Sequence, residues 1–318
     1  MRCDFCYRRC LLEDGQIGLC GIRQREGDRI KTIGWGNLVA MGLDPIEKKP
    51  LYHFFPGSKT LSIALFGCNF RCQFCQNHRI SQIDSPDYPL NTKSQKEITT
   101  PKQLVQRLNQ SGSSILSYTY SDPVVWLDYV EQTASLVHQQ GKYNCMITNG
   151  SFTKSSLQRL LPLIDAFNID VKGDNAFYQE YCNGALKPVL DAVQMIAKEP
   201  LKVLEITTLV IEGLHTKEQI RFLGQELFDR GVQVWHLSRF HPSYKMMGMP
   251  ATSEAFLDQM LDVAQQSGIP YIYAGNSNLR RNQHTSCPQC HYTGPEMDLS
   301  CPQCGTPIYG RFRLSTRV

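Results

Sequence analysis

No long apolar run occurs in this sequence. The longest, around residues 61–66, is far too short to span a bilayer, and Met1-Arg2-Cys3-Asp4 shows none of the apolar stretch that a secretory signal needs. A membrane-spanning segment is thereby excluded, and a cytoplasmic protein is expected. A strong charge bias is missing as well. Thirty-three basic residues against 29 acidic ones leave a net +4, too little to announce a nucleic-acid or membrane partner. There is no strict repeat and no low-complexity tract, although residues 81–96 form a polar stretch with Pro86 and Pro89 that reads as a long surface loop.

What is present is 42% apolar residues over 318 positions. That suffices for one large core with one or two small appendages and excludes a disordered or collagen-like chain. Thirteen cysteines are many for a reducing compartment, where short repeated spacings point to metal ligation more often than to disulfides. Eleven fall into three groups: Cys3, Cys6, Cys10 and Cys20; Cys68, Cys72 and Cys75; and Cys287, Cys290, Cys301 and Cys304. Cys145 and Cys182 stand apart and read as inert, buried thiols.

Between the second and third groups, β-branched or apolar runs at 61–65, 114–118, 143–147, 166–171, 202–210, 232–237 and 270–273 predict strands. Helical stripes separate several of them: Leu127, Val130, Ala134 and Val137; Ile220, Leu223 and Leu227; Leu257, Met260, Leu261 and Ala264. Thr100-Pro101 predicts a capped helix over 102–110, and Gly112, Gly141, Gly231 and Gly268 close helices ahead of strands. Repeated βα units imply an α/β protein with a parallel sheet, arranged as a partial six-unit TIM-type barrel. The expected organisation is a cysteine-rich N-terminal extension (1–57), the barrel (58–275) and a small C-terminal zinc ribbon (276–318).

In such a barrel the loops after strand C-termini build the site. Five of them carry unusual chemistry here: Gly67-Cys68, Thr119 to Pro123, Thr148-Asn149-Gly150, Asp170 to Gly173, and Arg239-Phe240-His241-Pro242. Cys68, Cys72 and Cys75, separated by three and then two residues, supply three thiolates, with Phe74 before the last. Three thiolates leave one iron of a four-iron cluster open, and the amino and carboxylate groups of S-adenosylmethionine (SAM) suit that position. A zinc site would want a fourth ligand, and none lies nearby in the sequence.

The N-terminal four cysteines fit either zinc or a second iron–sulfur cluster. The two Cys-Pro-Gln-Cys knuckles at the C-terminus, ten residues apart, read as a structural zinc ribbon. Arg280, Arg281, Arg311, Arg313 and Arg317 flank it; a handful of basic residues is usually a solvated face, so nucleic-acid binding is not expected. The segment Glu47-Lys48-Lys49, with His53, either gates the cavity or holds substrate, or else forms an exposed turn.

The run from Gly67 to Asn77, GCNFRCQFCQN, resembles the signature of the radical SAM superfamily. Residues 44–54, the 118–123 loop, 168–173, 235–246 and 273–276 resemble the AmmeMemoRadiSam system radical SAM enzymes, over almost the whole chain. That family is similar to the pyruvate formate-lyase activating enzymes. The resemblance implies that Asp122 binds the SAM ammonium, that Thr148, Asn149 and Gly150 lie beside the methionyl group, and that Asp170, Lys172 and His241 approach its carboxylate and ribose. Two departures stand out: aspartate at 122 where the family usually has glutamate, and Glu212 where it has proline. The implied activity is cleavage of SAM to a 5′-deoxyadenosyl radical that abstracts hydrogen from a substrate, such as a protein in glycyl-radical activation. The implied electron donor is a flavodoxin or ferredoxin. RNA modification and a non-catalytic electron carrier are the alternatives.

Overall fold

In the computed structural model, which describes residues 1–89, 97–279, 284–294 and 298–313, a hairpin of β1 (Arg23–Glu26) and β2 (Arg29–Thr32) precedes the central sheet. The sheet runs, each strand beside the next, through β3 (Ala40–Pro45), β4 (Lys59–Ala64), β5 (Ile115–Tyr118), β6 (Tyr143–Thr148), β7 (Ala166–Asp170), β8 (Val203–Val210), β9 (Val234–Arg239) and β10 (Tyr271–Gly275). β3 is antiparallel to β4; every later pair is parallel. Helices α1 (His78–Ser81) and α2 (Pro101–Gln110) follow β4, α3 (Leu127–Gln139) follows β5, and α4 (Lys154–Leu160) follows β6. After β7 come α5 (Asn175–Cys182) and α6 (Leu186–Ala197), then α7 (Lys217–Phe228) after β8 and α8 (Glu254–Gln265) after β9. Six βα units and a closing strand result, which is the expected α/β class with a mostly parallel sheet.

All seven expected strands are present, with ends shifted by at most two residues. The helical stripes face inward: Leu127, Val130, Ala134 and Val137 are all fully buried. Thr100 closes a capping box with Gln103 at the start of α2. Gly112, Gly141, Gly231 and Gly268 take left-handed φ angles between 68° and 84°, the conformation that ends a helix without strain in glycine alone.

Sequence pattern gave no sign of β3. Its residues, AMGLDP, lack β-branched side chains and include glycine and proline, and Met41 and Leu43 are exposed. The strand exists because β4 offers an open edge, and it lies ahead of the boundary expected near residue 57. The loop expected at 81–96 falls partly outside the described residues.

One end of the sheet is filled. Ile46, Leu51, Phe54 and Phe55 pack against Ile115, Tyr143, Ala166 and Val203, at the starts of β5 to β8. The C-terminal segment continues this plug: Cys287, Cys301 and Ile308 pack on Val234, Tyr271 and Tyr273. A buried polar knot ties the layers together. The Glu205 carboxylate accepts from the Tyr52 and His53 amides at 3.0 and 2.7 Å and lies 2.7 Å from His236 Nε2. Closing this end leaves the opposite end, where the parallel strands finish, to form the site.

Candidate radical SAM site

A cavity of about 410 Å³ lies at the C-terminal ends of the parallel strands, within the size range of small-molecule sites. Cys68, Cys72, Phe74 and Cys75 line it from the loop after β4, and Thr119 to Asp122 from the loop after β5. Thr148 and Asn149 line it from the end of β6, and Asp170 and Lys172 from the end of β7. Lys48 and Lys49 reach it from the loop after β3.

The backbone of the cysteine loop is held from several sides. Gly67 takes φ 97°, and a Cβ there would stand 2.9 Å from Ile22 Cγ2 and 3.1 Å from the Cys20 carbonyl, so only glycine fits. The Arg71 and Gln73 amides donate to the Cys182 and Tyr181 carbonyls at 2.8 and 2.9 Å, and Lys245 donates to the Gln73 carbonyl at 3.0 Å. Donors also face the sulfurs. The Phe70 amide lies 3.4 Å and Asn149 Nδ2 3.7 Å from Cys68 Sγ, while Ser81 Oγ lies 3.1 Å from Cys75 Sγ.

Burial pushes the Cys68 and Cys75 thiols up. Cys72 is raised by a hydrogen bond with Cys182 and then by burial. Lys172 is the cation whose charge acts on Cys72 and Cys75, and a metal centre that balances three thiolates fits the donor set. Cys182 touches Cys72 but does not line the cavity, which leaves three cavity thiols.

Asp122 is buried, and burial raises its carboxyl. Its Oδ1 accepts from the Val124 amide at 3.0 Å and from Thr148 Oγ1 at 2.9 Å, and its Oδ2 accepts from the Asn149 amide at 2.9 Å. It therefore both caps the turn at Pro123 and fixes the end of β6. Three of about four acceptor positions on the carboxylate are used, leaving one toward the cavity. Burial alone would depress Lys172, but the Asp170 carboxylate 2.7 Å away outweighs it and holds the ammonium charged.

Across the cavity, Tyr120 donates to Asp44 Oδ2 at 2.6 Å, and Lys49 Nζ donates to the same oxygen at 2.9 Å. Lys49 also lies 4.4 Å from the centre of the Tyr120 ring. Lys49 is buried and lines the cavity, so it is not part of an exposed turn.

The radical SAM superfamily pattern matches residues 63–223, half of the chain. The chain belongs to the radical SAM superfamily. An uncharacterised protein of Methanocaldococcus jannaschii is 36% identical over 295 residues, covering 91% of this chain and 85% of that protein. Streptococcus suis SuiB bound to S-adenosylmethionine superposes with a TM-score of 0.53 at 11% identity, over 73% of this chain and 53% of that one. TYW1 with a lysine-pyruvate adduct bound gives 0.50 at 14% identity, over 76% and 89%. At these identities the two structures speak to the fold of the radical SAM domain alone.

Two residues tied by resemblance to the radical SAM cofactor are not brought into the cavity wall. His241 is exposed and does not line the cavity, while Arg239 at the end of β9 bonds to the Thr252 carbonyl and Glu254. Gly150 sits one position behind the lining, at φ 72°, packed against Ile169 and Val189. Among the lining residues that sequence reasoning did not assign to the site are Ser81, Gln82, Ile147, Thr207 and Leu209. Thr207 and Leu209 stand two apart near the end of β8, so alternation along a strand whose inner face was known would have found them.

Eight other cysteines of this radical SAM chain form two further groups. Cys287 and Cys304 have sulfurs 3.5 Å apart, Cys290 and Cys301 3.6 Å, and all four sulfurs lie within 4.8 Å of one another. That matches the tetrahedral cage of one zinc ion, whose sulfurs stand about 3.8 Å apart. Thr306 Oγ1, 3.1 Å from Cys304 Sγ, brings that thiol down to about 6. Cys3, Cys6, Cys10 and Cys20 line a separate small cavity with Asn69 and Arg23. Arg280, Arg281 and Arg317 lie outside the described residues, and Arg313 pairs with Asp298.

Proposed function

We propose that Cys68, Cys72 and Cys75 hold a [4Fe–4S] cluster, that SAM binds in the adjoining cavity, and that the protein is an enzyme of hydrogen abstraction. The observation that carries this reading is the convergence of one buried and two half-buried thiols on one cavity edged by a carboxylate and an ion pair. When bound, the cluster supplies an electron that breaks a carbon–sulfur bond of SAM and releases a 5′-deoxyadenosyl radical.

The chain's own residues bind and orient. Asp122 keeps Thr148 and Asn149 in place and offers its remaining lone pair to the SAM ammonium, at the distance an aspartate allows. Lys172, held charged by Asp170, faces the SAM carboxylate, and Asp170 accepts from ribose hydroxyls. Ser238 and Asn276 add neutral partners, with Asn276 Nδ2 donating to Ser238 Oγ at 3.0 Å. Phe74, Ile147 and Leu209 exclude water from the reacting end. Substrate then approaches from the side of Lys48, Lys49 and Tyr120, and electrons come from a flavodoxin- or ferredoxin-class donor.

The test is anaerobic reconstitution with iron and sulfide, followed by dithionite and SAM. 5′-Deoxyadenosine from wild type and none from Cys72→Ala is the expected result. No deoxyadenosine from fully loaded, reduced wild type would remove the enzymatic reading in favour of an electron carrier.

A further inference from the structure

Asn149 lies on the cavity wall, yet both ends of its carboxamide are engaged within the protein. Its Oδ1 accepts from the Ser151 amide at 3.0 Å. A backbone amide can only donate, so this bond fixes which end of the carboxamide is oxygen and which is nitrogen. The Nδ2 end then faces two acceptors, Asn69 Oδ1 at 2.8 Å and Cys68 Sγ at 3.7 Å. An amide nitrogen carries two hydrogens, one for each. The longer contact suits sulfur, whose radius places such a bond beyond the about 2.7–3.2 Å usual for oxygen.

A second buried amide holds Asn149 in place. Asn69 follows Cys68 directly and is fully buried. With its Oδ1 given to Asn149, its Nδ2 donates to Ser151 Oγ at 2.6 Å. Asn69, Asn149 and Ser151 thus form a closed triangle in which each is bonded to the other two. The N-terminal segment backs it: the Tyr7 amide donates to the Ser151 carbonyl at 2.9 Å, Arg8 Nε to the Asn69 carbonyl at 2.8 Å, and Ser156 Oγ to the Phe5 carbonyl at 2.7 Å. From the cavity side, Asp122 accepts from the Asn149 amide at 2.9 Å. Swinging the Asn149 side chain away from Cys68 would break the triangle and leave buried polar groups unpaired, which folded proteins avoid.

A thiolate that ligates an iron–sulfur cluster carries more negative charge once the cluster is reduced. A hydrogen bond to that sulfur therefore favours the reduced state and raises the potential. The Phe70 amide, 3.4 Å from Cys68 Sγ, is a backbone donor from the cysteine loop itself. Asn149 differs in coming from the end of β6, so the packing of a separate element decides whether its hydrogen reaches the sulfur.

We propose that Asn149 donates to the Cys68 thiolate of the cluster and raises its reduction potential, with Asn69 as the positioning residue that keeps this donor on the sulfur. One electron passes from a flavodoxin- or ferredoxin-class donor to the cluster, and the hydrogen bond favours its arrival; no bond forms or breaks and no proton moves. The proposal rests on the cluster of the reading above and does not need SAM cleavage.

The test is potentiometric titration of the reconstituted full chain without SAM, following the paramagnetic signal of the reduced cluster that a variant with Cys68, Cys72 and Cys75 all changed to Ala lacks. In Asn149→Ala, at the iron content of wild type, the equilibrium constant for one-electron reduction should fall about tenfold, a drop of about 59 mV in midpoint. Asn69→Ala should lower the midpoint of wild type but not that of Asn149→Ala, because it acts through Asn149. Asn149→Asp keeps the volume and the bond from the Ser151 amide while removing the donor, and its midpoint should move in the same direction; it replaces the alanine variant if that one takes up no iron. An unchanged midpoint in an iron-loaded Asn149 variant would overturn the proposal, and additive shifts in the double variant would overturn the part given to Asn69. A wild type that assembles no cluster at all would overturn the reading above and this one with it.

Discussion

The ammonium of Lys172 lies 2.7 Å from the carboxylate of Asp170, two residues away, where β7 opens into the cavity. A strand alternates its side chains, so residues two apart share a face, and here that places an ion pair on the cavity wall. Asp170→Asn removes the charge that keeps Lys172 protonated. SAM affinity should fall at least tenfold, about 1.4 kcal/mol, in both Asp170→Asn and Lys172→Met, with iron content unchanged. Equilibrium dialysis with labelled SAM checks this, and wild-type affinity in both variants would move SAM away from this pair.

Gly150 carries the turn that presents Thr148 and Asn149. Its φ of 72° is left-handed, and a Cβ there would stand 2.7 Å from Ile169 Cγ2 and 3.2 Å from Val189 Cγ1. Gly150→Ala should cost about 2 kcal/mol through combined strain and overlap. Thermal unfolding of the two proteins under identical metal loading decides it; an unchanged midpoint would show that the turn yields at no cost.

His215 connects pH to the site. Its Nδ1 accepts from the Ile211 amide at 3.0 Å, so its Nε2 carries the proton and donates to the Lys172 carbonyl at 2.9 Å. Burial lowers it from its ordinary value of 6.5, with the two hydrogen bonds opposing. The unfolded chain therefore takes up the proton first. Stability is complete above 6.5 and declines as pH falls from there through the lower folded value. Burial shifts His53 the same way. The slope of melting temperature against pH below 6.5 should flatten in His215→Gln, and an identical slope would assign the acid loss to other groups.

Metal at the C-terminal knuckles should hold the plug beneath the sheet. Tyr309 Oη accepts from the Leu204 amide at 2.8 Å, its carbonyl lies 2.5 Å from His53 Nδ1, and Tyr273 Oη lies 2.9 Å from Thr285 Oγ1. Removing zinc with a chelator should raise hydrogen exchange at Leu204 and along 50–55 while β5 to β7 stay protected. Uniform exchange before and after, with zinc verified as lost, would show that the plug stands without the ion.

Local patterns explain which parts of the fold were readable. The strands from β4 to β10 are nearly continuous apolar runs because both faces are covered, and α3, α7 and α8 repeat their buried stripes at three and four. β3 was invisible because an antiparallel edge strand needs only a partner's free edge. No stripe was read for α4, α5 or α6, and α4 is only seven residues long. Cysteine spacing was equally legible, since the ligands of each group sit in one or two short loops.

The sequence alone determined the alternation of strands and helices, the radical SAM motif at Cys68, Cys72 and Cys75, and the existence of three cysteine groups, all of them properties of residues close along the chain. Tertiary structure decided what only distance in space can. Cys182 meets Cys72 because α5 ends beside the cysteine loop, and His241, past the end of β9, stands exposed outside the cavity lining. The sulfurs of the C-terminal group close to the width of one ion. Spacing names the ligands, but cage width depends on how separate turns are packed against each other, and no local pattern carries that information.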